Sequence, residues 1–287
     1  MKRKAASRDF SINDLPSNRK EVFFDSMKNR YRYLLYTGFI LFFTMIPFII
    51  IITIKRIYLN ALLLDYTSNI IKESEYIMSS MTYAFIFDIL ISLSSLIISL
   101  GISGLSRIIR QIGWMEPIFF LKDFTDGIKM NYKQISIHIL VLSLIYMMSD
   151  LALYIGINIK ILKYLPMAIF IFIVIPCALY NIAQANIYNI SNFKSTTNSL
   201  LFFFKSVPIS LVFTLIILIP SVIGLIPNII INLLINIILL ILLFPLYYLA
   251  WFLYSSYIFD KYLNIEAYPE IVDKGIRRKT NIRKERQ

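Results

Sequence analysis

Residues 206–259, "SVPISLVFTLIILIPSVIGLIPNIIINLLINIILLILLFPLYYLAWFLYSSYIF", contain no charged side chain. The run begins after Lys205 and ends before Asp260, so it covers 54 consecutive positions. One membrane-spanning helix needs about 20 mostly apolar residues, so this run is long enough for two crossings. Inside a bilayer each backbone amide needs a partner within the protein, which favours helices. The stretch therefore predicts a helical hairpin in a membrane.

The rest of the chain follows the same pattern. Of its 287 residues, 58% are hydrophobic and 16% are charged, whereas soluble domains carry about a quarter charged residues. The alternation typical of membrane β-strands is missing. We therefore predict an all-α, polytopic membrane protein with six transmembrane helices. The predicted spans are 33–54, 81–105, 135–157, 165–188, 207–225 and 229–254.

The distribution of Lys and Arg predicts how these spans are oriented. Of the 29 basic residues, 24 fall on one side of the six spans. Because basic loops stay in the cytoplasm, we expect both termini there, in a bacterial cytoplasmic membrane. The chain then divides into a basic tail (1–20), a membrane domain (21–259) and a second basic tail (260–287). Orientation and contact with anionic headgroups account for the net charge of +12, and we expect no nucleic-acid partner.

A charged segment, "DFTDGIKMNYKQ" (123–134), separates the second and third spans. Apolar residues recur every four positions there, which predicts an amphipathic helix lying on the cytoplasmic membrane surface. Similar segments precede the first span (21–36) and, more weakly, the fifth (199–211). The predicted architecture is three helical hairpins, each preceded by an amphipathic elbow helix. The apolar stripe of the central elbow is Phe120, Phe124, Ile128 and Tyr132.

Residues 104–134, "GLSRIIRQIGWMEPIFFLKDFTDGIKMNYKQ", resemble the signature of the YesL-like bacterial membrane proteins. An insertion at 57–80 and longer basic tails depart from that family's pattern. The family has no established activity, and its members accompany carbohydrate-uptake and polysaccharide-degradation genes. The resemblance implies an accessory role and makes the elbow a candidate partner contact. The matching positions are Gly104, Phe124, Lys129, Asn131, Lys133 and Gln134, with Pro47, Asn198 and Pro208 elsewhere; the candidate contact residues are Phe124, Lys129, Asn131, Lys133 and Gln134.

Ionisable side chains inside a membrane are costly, so each one is a candidate site. Asp88 and Asp150 both fall about 10 Å below the predicted outer boundary, and this equal depth permits them to meet. Two close carboxylates could share a proton or bind a cation. Alternatively, each acid faces its own cavity or pairs with Lys160, Lys163 or Arg56. The sequence favours the second interpretation.

Asn228, Asn232 and Asn236 form a stripe with a four-residue repeat on the last span. Amide side chains at this spacing can bond to a neighbouring helix or line a polar path, and helix packing is the favoured interpretation. The same two interpretations apply to Asn181, Gln184 and Asn186.

The sequence offers no conventional catalytic or metal motif. His138 is the only histidine and Cys177 the only cysteine, too few for a zinc site. Phosphate-binding loops and nucleophile elbows are missing, so we expect no enzymatic activity and no cofactor.

Three functions remain open at this stage. The preferred one is a non-enzymatic accessory or scaffold protein of a transport or envelope system, which would bind another membrane or cytoplasmic protein as well as the lipid bilayer. The first alternative is a small-solute or proton-coupled transporter that uses Asp88 and Asp150. The second is a membrane-embedded enzyme that acts on a lipid or glycan carrier.

Overall fold

The computed structural model describes residues 16–154, 160–224, 226 and 228–277. It is 87% helical, and the described residues form no strand. The helices in chain order are α1 (Arg19–Asn29), α2 (Tyr31–Thr67), α3 (Glu73–Gly113), α4 (Phe120–Leu151), α5 (Lys160–Ile169), α6 (Ile175–Ala185), α7 (Asn192–Lys205), α8 (Val207–Ile217), α9 (Ile219–Ile223), α10 (Ile229–Ile238), α11 (Phe244–Phe259) and α12 (Ile265–Ala267).

Short π-helical stretches connect several of these helices into longer rods. They join α5 to α6 (Phe170–Val174), α10 to α11 (Leu239–Leu243) and α11 to α12 (Asp260–Asn264). Within the described part of the chain, five continuous helical segments are long and apolar enough to cross a membrane. A sixth candidate is α7 with α8 and α9, which is bent by 105° after α7. The predicted all-α, multi-pass architecture is therefore confirmed.

Local hydrogen bonds define where the first elbow and α7 begin. The side chain of Asn18 accepts a hydrogen bond from the backbone N–H of Glu21, and Ser191 caps α7 in the same way through Lys194. Such caps satisfy N–H groups that have no partner inside the helix. Hydrogen bonds from the side chain and backbone of Ser17 also lower the pKa of the Glu21 carboxyl.

The first two membrane helices extend well beyond their predicted spans. α2 continues to Thr67 and α3 begins at Glu73, so most of the predicted 57–80 loop consists of two helix ends. The rings of Tyr66 and Tyr76 stack beside the short turn, with centroids 4.9 Å apart. Hydropathy indicates where a helix leaves the hydrocarbon core of the membrane. The helix itself can continue beyond that point, because its backbone hydrogen bonds do not depend on apolar side chains.

The central elbow differs from its prediction. Residues 123–134 are helical, but they form the first turns of the continuous helix α4, whereas α1 and α7 are separate helices. The buried stripe of this segment is Asp123, Gly127 and Asn131, which continues into Ile135. Asp123 and Gly127 pack against α3, and Asn131 bonds to Asn186 at the end of α6, so this part of α4 belongs to the bundle.

Both ends of the described chain meet at one end of the bundle. The guanidinium of Arg19 forms an ion pair with Asp260, and the backbone N–H of Arg277 donates to the carbonyl of Pro16 at 2.8 Å. An aromatic cluster fills the core on this side and includes Tyr180, Phe202, Trp251, Phe252 and Phe259.

Candidate functional site

Three membrane helices contribute one ionic residue each to a buried cluster. The Lys55 ammonium on α2 donates to Asp88 Oδ1 on α3 at 2.6 Å and to Asp150 Oδ2 on α4 at 2.9 Å. All three residues are buried, and the Asp88 side chain has no exposed surface. We call this cluster the Lys55–Asp88–Asp150 triad. It ties α2, α3 and α4 together by charge.

The two aspartates therefore meet, as the less favoured sequence interpretation proposed. Their shared partner is Lys55, which was not among the expected cations. Lys163 and Arg56 pair with neither acid within the described structure, and the side chain of Lys160 lies outside the described residues. Sequence reasoning missed Lys55 because the apolar window ends at Ile54. The helix continues past that point, which keeps Lys55 beside the acids.

The triad is not balanced in formal charge. Two ionised carboxylates and one ammonium sum to −1, and the second carboxylate oxygen of Asp88, Oδ2, is buried with no hydrogen-bond partner among the described residues. The hydroxyls of Ser80 and Ser92, two turns before and one turn after Asp88 on α3, are also buried without partners. An uncompensated charge in a low-dielectric interior costs several kcal/mol. The site therefore favours one additional proton or cation.

A shallow cavity of about 250 Å³, open to the protein surface, lies beside the triad. Lys55 and Asp150 form part of its wall, and Arg56, Asn60 and Tyr146 are further polar lining residues. The Lys55 ammonium lies 5.5 Å from the centroid of the Tyr146 ring. The cavity is thus about the size of a small solute and has ionic groups in its wall, a combination that is common in binding sites.

The hydrogen bonds of the asparagine stripe lie within the last hairpin. Asn228 caps α10 by accepting from Ile231 N–H at 3.1 Å, and Asn232 donates to the Ile223 carbonyl at 3.0 Å. Asn236 donates to Asn232 Oδ1 at 2.8 Å. These hydrogen bonds lie within one helix or across its adjoining turn, and none of them reaches the triad. Only the bond from Asn232 to Ile223 reaches a neighbouring helix, α9, so the choice between packing and a polar path stays a prediction.

The predicted elbow contacts divide into two groups. Phe124 packs directly on Gly104, where a Cβ would overlap its ring, and Asn131 donates to Asn186 Oδ1 at 3.3 Å. Lys129 and Lys133 are exposed. Phe124 and Asn131 therefore hold α4 in the bundle, and the two lysines remain free to meet lipid or a partner. Gln134 is half-buried, and its Nε2 atom has no hydrogen-bond partner in the described structure.

A second polar cluster connects α6 and α7. Asn181 Oδ1 accepts from the hydroxyls of Ser195 at 2.8 Å and Ser199 at 2.9 Å, and the Gln184 amide donates to Ser199 Oγ at 2.7 Å. Asn186 donates to the carbonyl of Ser106 on α3. These residues hold helices together rather than lining the cavity.

Metal coordination receives no support from the described residues. They contain no group of three or more His, Cys, Asp or Glu side chains that could hold a metal ion. His138 and Cys177 are both buried, the first on α4 and the second on α6.

Comparison with protein-family models, with curated proteins and with solved structures finds no match to this chain. The resemblance to the YesL-like family therefore stays a prediction. The functional argument rests on the geometry of the triad and its cavity.

Proposed function

We propose that this protein is a multi-pass carrier of a small solute in a bacterial cytoplasmic membrane, and that proton or cation binding at the Lys55–Asp88–Asp150 triad drives its movement. The supporting observation is the sharing of the Lys55 ammonium by two carboxylates beside a cavity of about 250 Å³. Ionisable groups that converge inside a membrane protein commonly mark ion or substrate pathways. Because of this observation, we prefer the transporter to the accessory protein that the sequence alone favoured.

The coupling chemistry follows from charge balance. A proton that binds an oxygen of Asp88 converts the carboxylate to a neutral acid, and Lys55 is then held by the single charge of Asp150. The ionic attachment of α2 to α3 becomes weaker, while that of α2 to α4 persists. A protonation step therefore changes the relative stability of two helix arrangements, which is what a coupled carrier requires.

The experiment that tests this function is charge movement by the purified protein in liposomes on a solid-supported membrane. Pools of amino acids, sugars, amines and organic acids are applied with an imposed pH gradient. We expect a gradient-dependent current with at least one pool, and its loss in Asp88→Asn. Glu75→Gln is the matched control, because Glu75 is an exposed acid on the same helix, and it should retain the current.

The accessory role remains a second candidate because Lys129 and Lys133 present an exposed basic face on α4 that the fold does not use. The same preparation separates the two candidates. If no pool produces a current, and a second membrane protein copurifies in stoichiometric amount after crosslinking in native membranes, the accessory role replaces the carrier.

A further inference from the structure

The outward face of α7 carries large apolar side chains at both ends, with the exposed Thr196 and Thr197 between them. Phe193, Leu201 and Phe204 are 84%, 57% and 66% exposed, whereas Ser195 and Ser199 point into the bundle. α7 makes an angle of 105° with the helix pair α8–α9. If α8 and α9 cross the membrane, α7 lies roughly in its surface plane, with this apolar face against acyl chains.

Two lysines flank a tyrosine at the end of this surface helix. The Lys205 ammonium, at the last residue of α7, lies 5.9 Å from the Tyr262 ring centroid. The Lys261 ammonium, in the π-helical stretch Asp260–Asn264, lies 5.1 Å from the same centroid. Neither ammonium forms an ion pair within the described structure, whereas the neighbouring carboxylate of Asp260 turns inward to Arg19.

We propose that Lys205, Lys261 and Tyr262 form a binding site for the headgroup of an anionic phospholipid. Both ammoniums lie within 6 Å of the Tyr262 ring centroid, so each can bind a phosphate that sits beside the ring, and a tyrosine favours the headgroup zone. The exposed side chains of Leu201 and Phe204 continue from this point as an apolar track for an acyl chain. The charge pair and the apolar track together distinguish a lipid from a soluble phosphate. The inference is independent of the proposed carrier function.

The test is native mass spectrometry of the protein after exchange into mixed micelles of phosphatidylglycerol and phosphatidylcholine. We expect wild type to retain phosphatidylglycerol preferentially. The Lys205→Gln/Lys261→Gln variant should lose this preference at least about tenfold, because losing one charge-assisted hydrogen bond to a phosphate already reduces affinity by about that factor. Lys129→Gln/Lys133→Gln is the matched control, because it removes the same charge from exposed positions on α4, and it should behave as wild type.

Further arms make each outcome decisive. Lys205→Arg/Lys261→Arg keeps both charges and should keep the preference, and inorganic phosphate or glycerol phosphate at millimolar concentration should not displace the bound lipid. Equal loss in the control pair would mean that diffuse charge attracts the lipid, and displacement by inorganic phosphate would mean a site for a soluble anion. Either result, or the absence of any preference in wild type, overturns the proposal.

Discussion

Lys55 is a single cation between two carboxylates in the interior of the bundle. Removal of one partner from a buried ionic cluster leaves charge without compensation, so we expect Lys55→Met to lower the free energy of unfolding by about 3 kcal/mol. The neutral triple variant Lys55→Met/Asp88→Asn/Asp150→Asn should lie closer to wild type. Unfolding in mixed detergent measures both. The exposed control Lys129→Met should change stability by less than about 0.5 kcal/mol.

The sequence allowed only part of this cluster to be predicted. The equal depth of Asp88 and Asp150 indicated that they could meet, because both lie seven residues inside predicted spans. The partner could not be found in the same way. Lys55 directly follows the apolar run, so the sequence predicts that it lies in a loop. It lies inside the bundle because α2 continues to Thr67. Pairing depends on how neighbouring helices are rotated, which hydropathy does not report.

At the scale of helices, close backbone approach holds α3 and α4 together. A Cβ at Gly127 would lie 2.9 Å from Arg107 Cβ and 3.0 Å from the carbonyl oxygens of Ser103 and Gly104. Because backbone atoms cannot move aside cheaply, we expect Gly127→Val to lower the free energy of unfolding by about 2–3 kcal/mol. Lys129→Val places the same β-branched side chain at an exposed position of α4, where helix propensity is the main change. Equal destabilisation by both variants would show that helix propensity is responsible.

The elbows illustrate what periodicity can predict. The four-residue spacing correctly identified a helix at Phe120, Phe124, Ile128 and Tyr132. The same spacing is expected for a helix on the membrane surface and for a helix packed in the bundle. Gly127 and Asn131 decide between the two, since the glycine permits close contact with α3 and the buried amide bonds to Asn186 at the end of α6. At α7 the surface helix is distinct, because Ser206 caps its end and Pro208 lies in the first turn of the next helix.

For the whole molecule, the contacts between the two ends of the described chain predict that both ends lie on the same side of the membrane. The Arg19–Asp260 ion pair and the Arg277–Pro16 hydrogen bond place residues 16 and 277 at one end of the bundle. In a Cys177→Ala background, we expect Ile70→Cys to react with a membrane-impermeant maleimide in intact cells. Ser17→Cys and Arg277→Cys should react only after permeabilisation. Labelling of just one of these two sites in intact cells would require an odd number of crossings.

Hydropathy was sufficient to predict the multi-pass helical class, because an uncharged run of 54 residues has few stable environments other than a membrane. It did not predict helix ends or the bend after α7. Those depend on caps, prolines and packing between helices that are distant in sequence. Function depends on such packing as well, which is why the preferred interpretation changed when Lys55, Asp88 and Asp150 were found together.

The most direct test of this account asks whether α3 and α4 place positions 88 and 150 side by side in the membrane. Asp88→Cys/Asp150→Cys is made in a Lys55→Met/Cys177→Ala background, so that no ammonium is left unpaired, and is treated with an oxidant in native membranes. The control pair joins Asp88→Cys to Asp123→Cys, about 40 Å farther along α4. We predict that peptide mass spectrometry finds a disulfide in the first pair and none in the second. Equal crosslinking in both pairs, or none in the first, would contradict the triad.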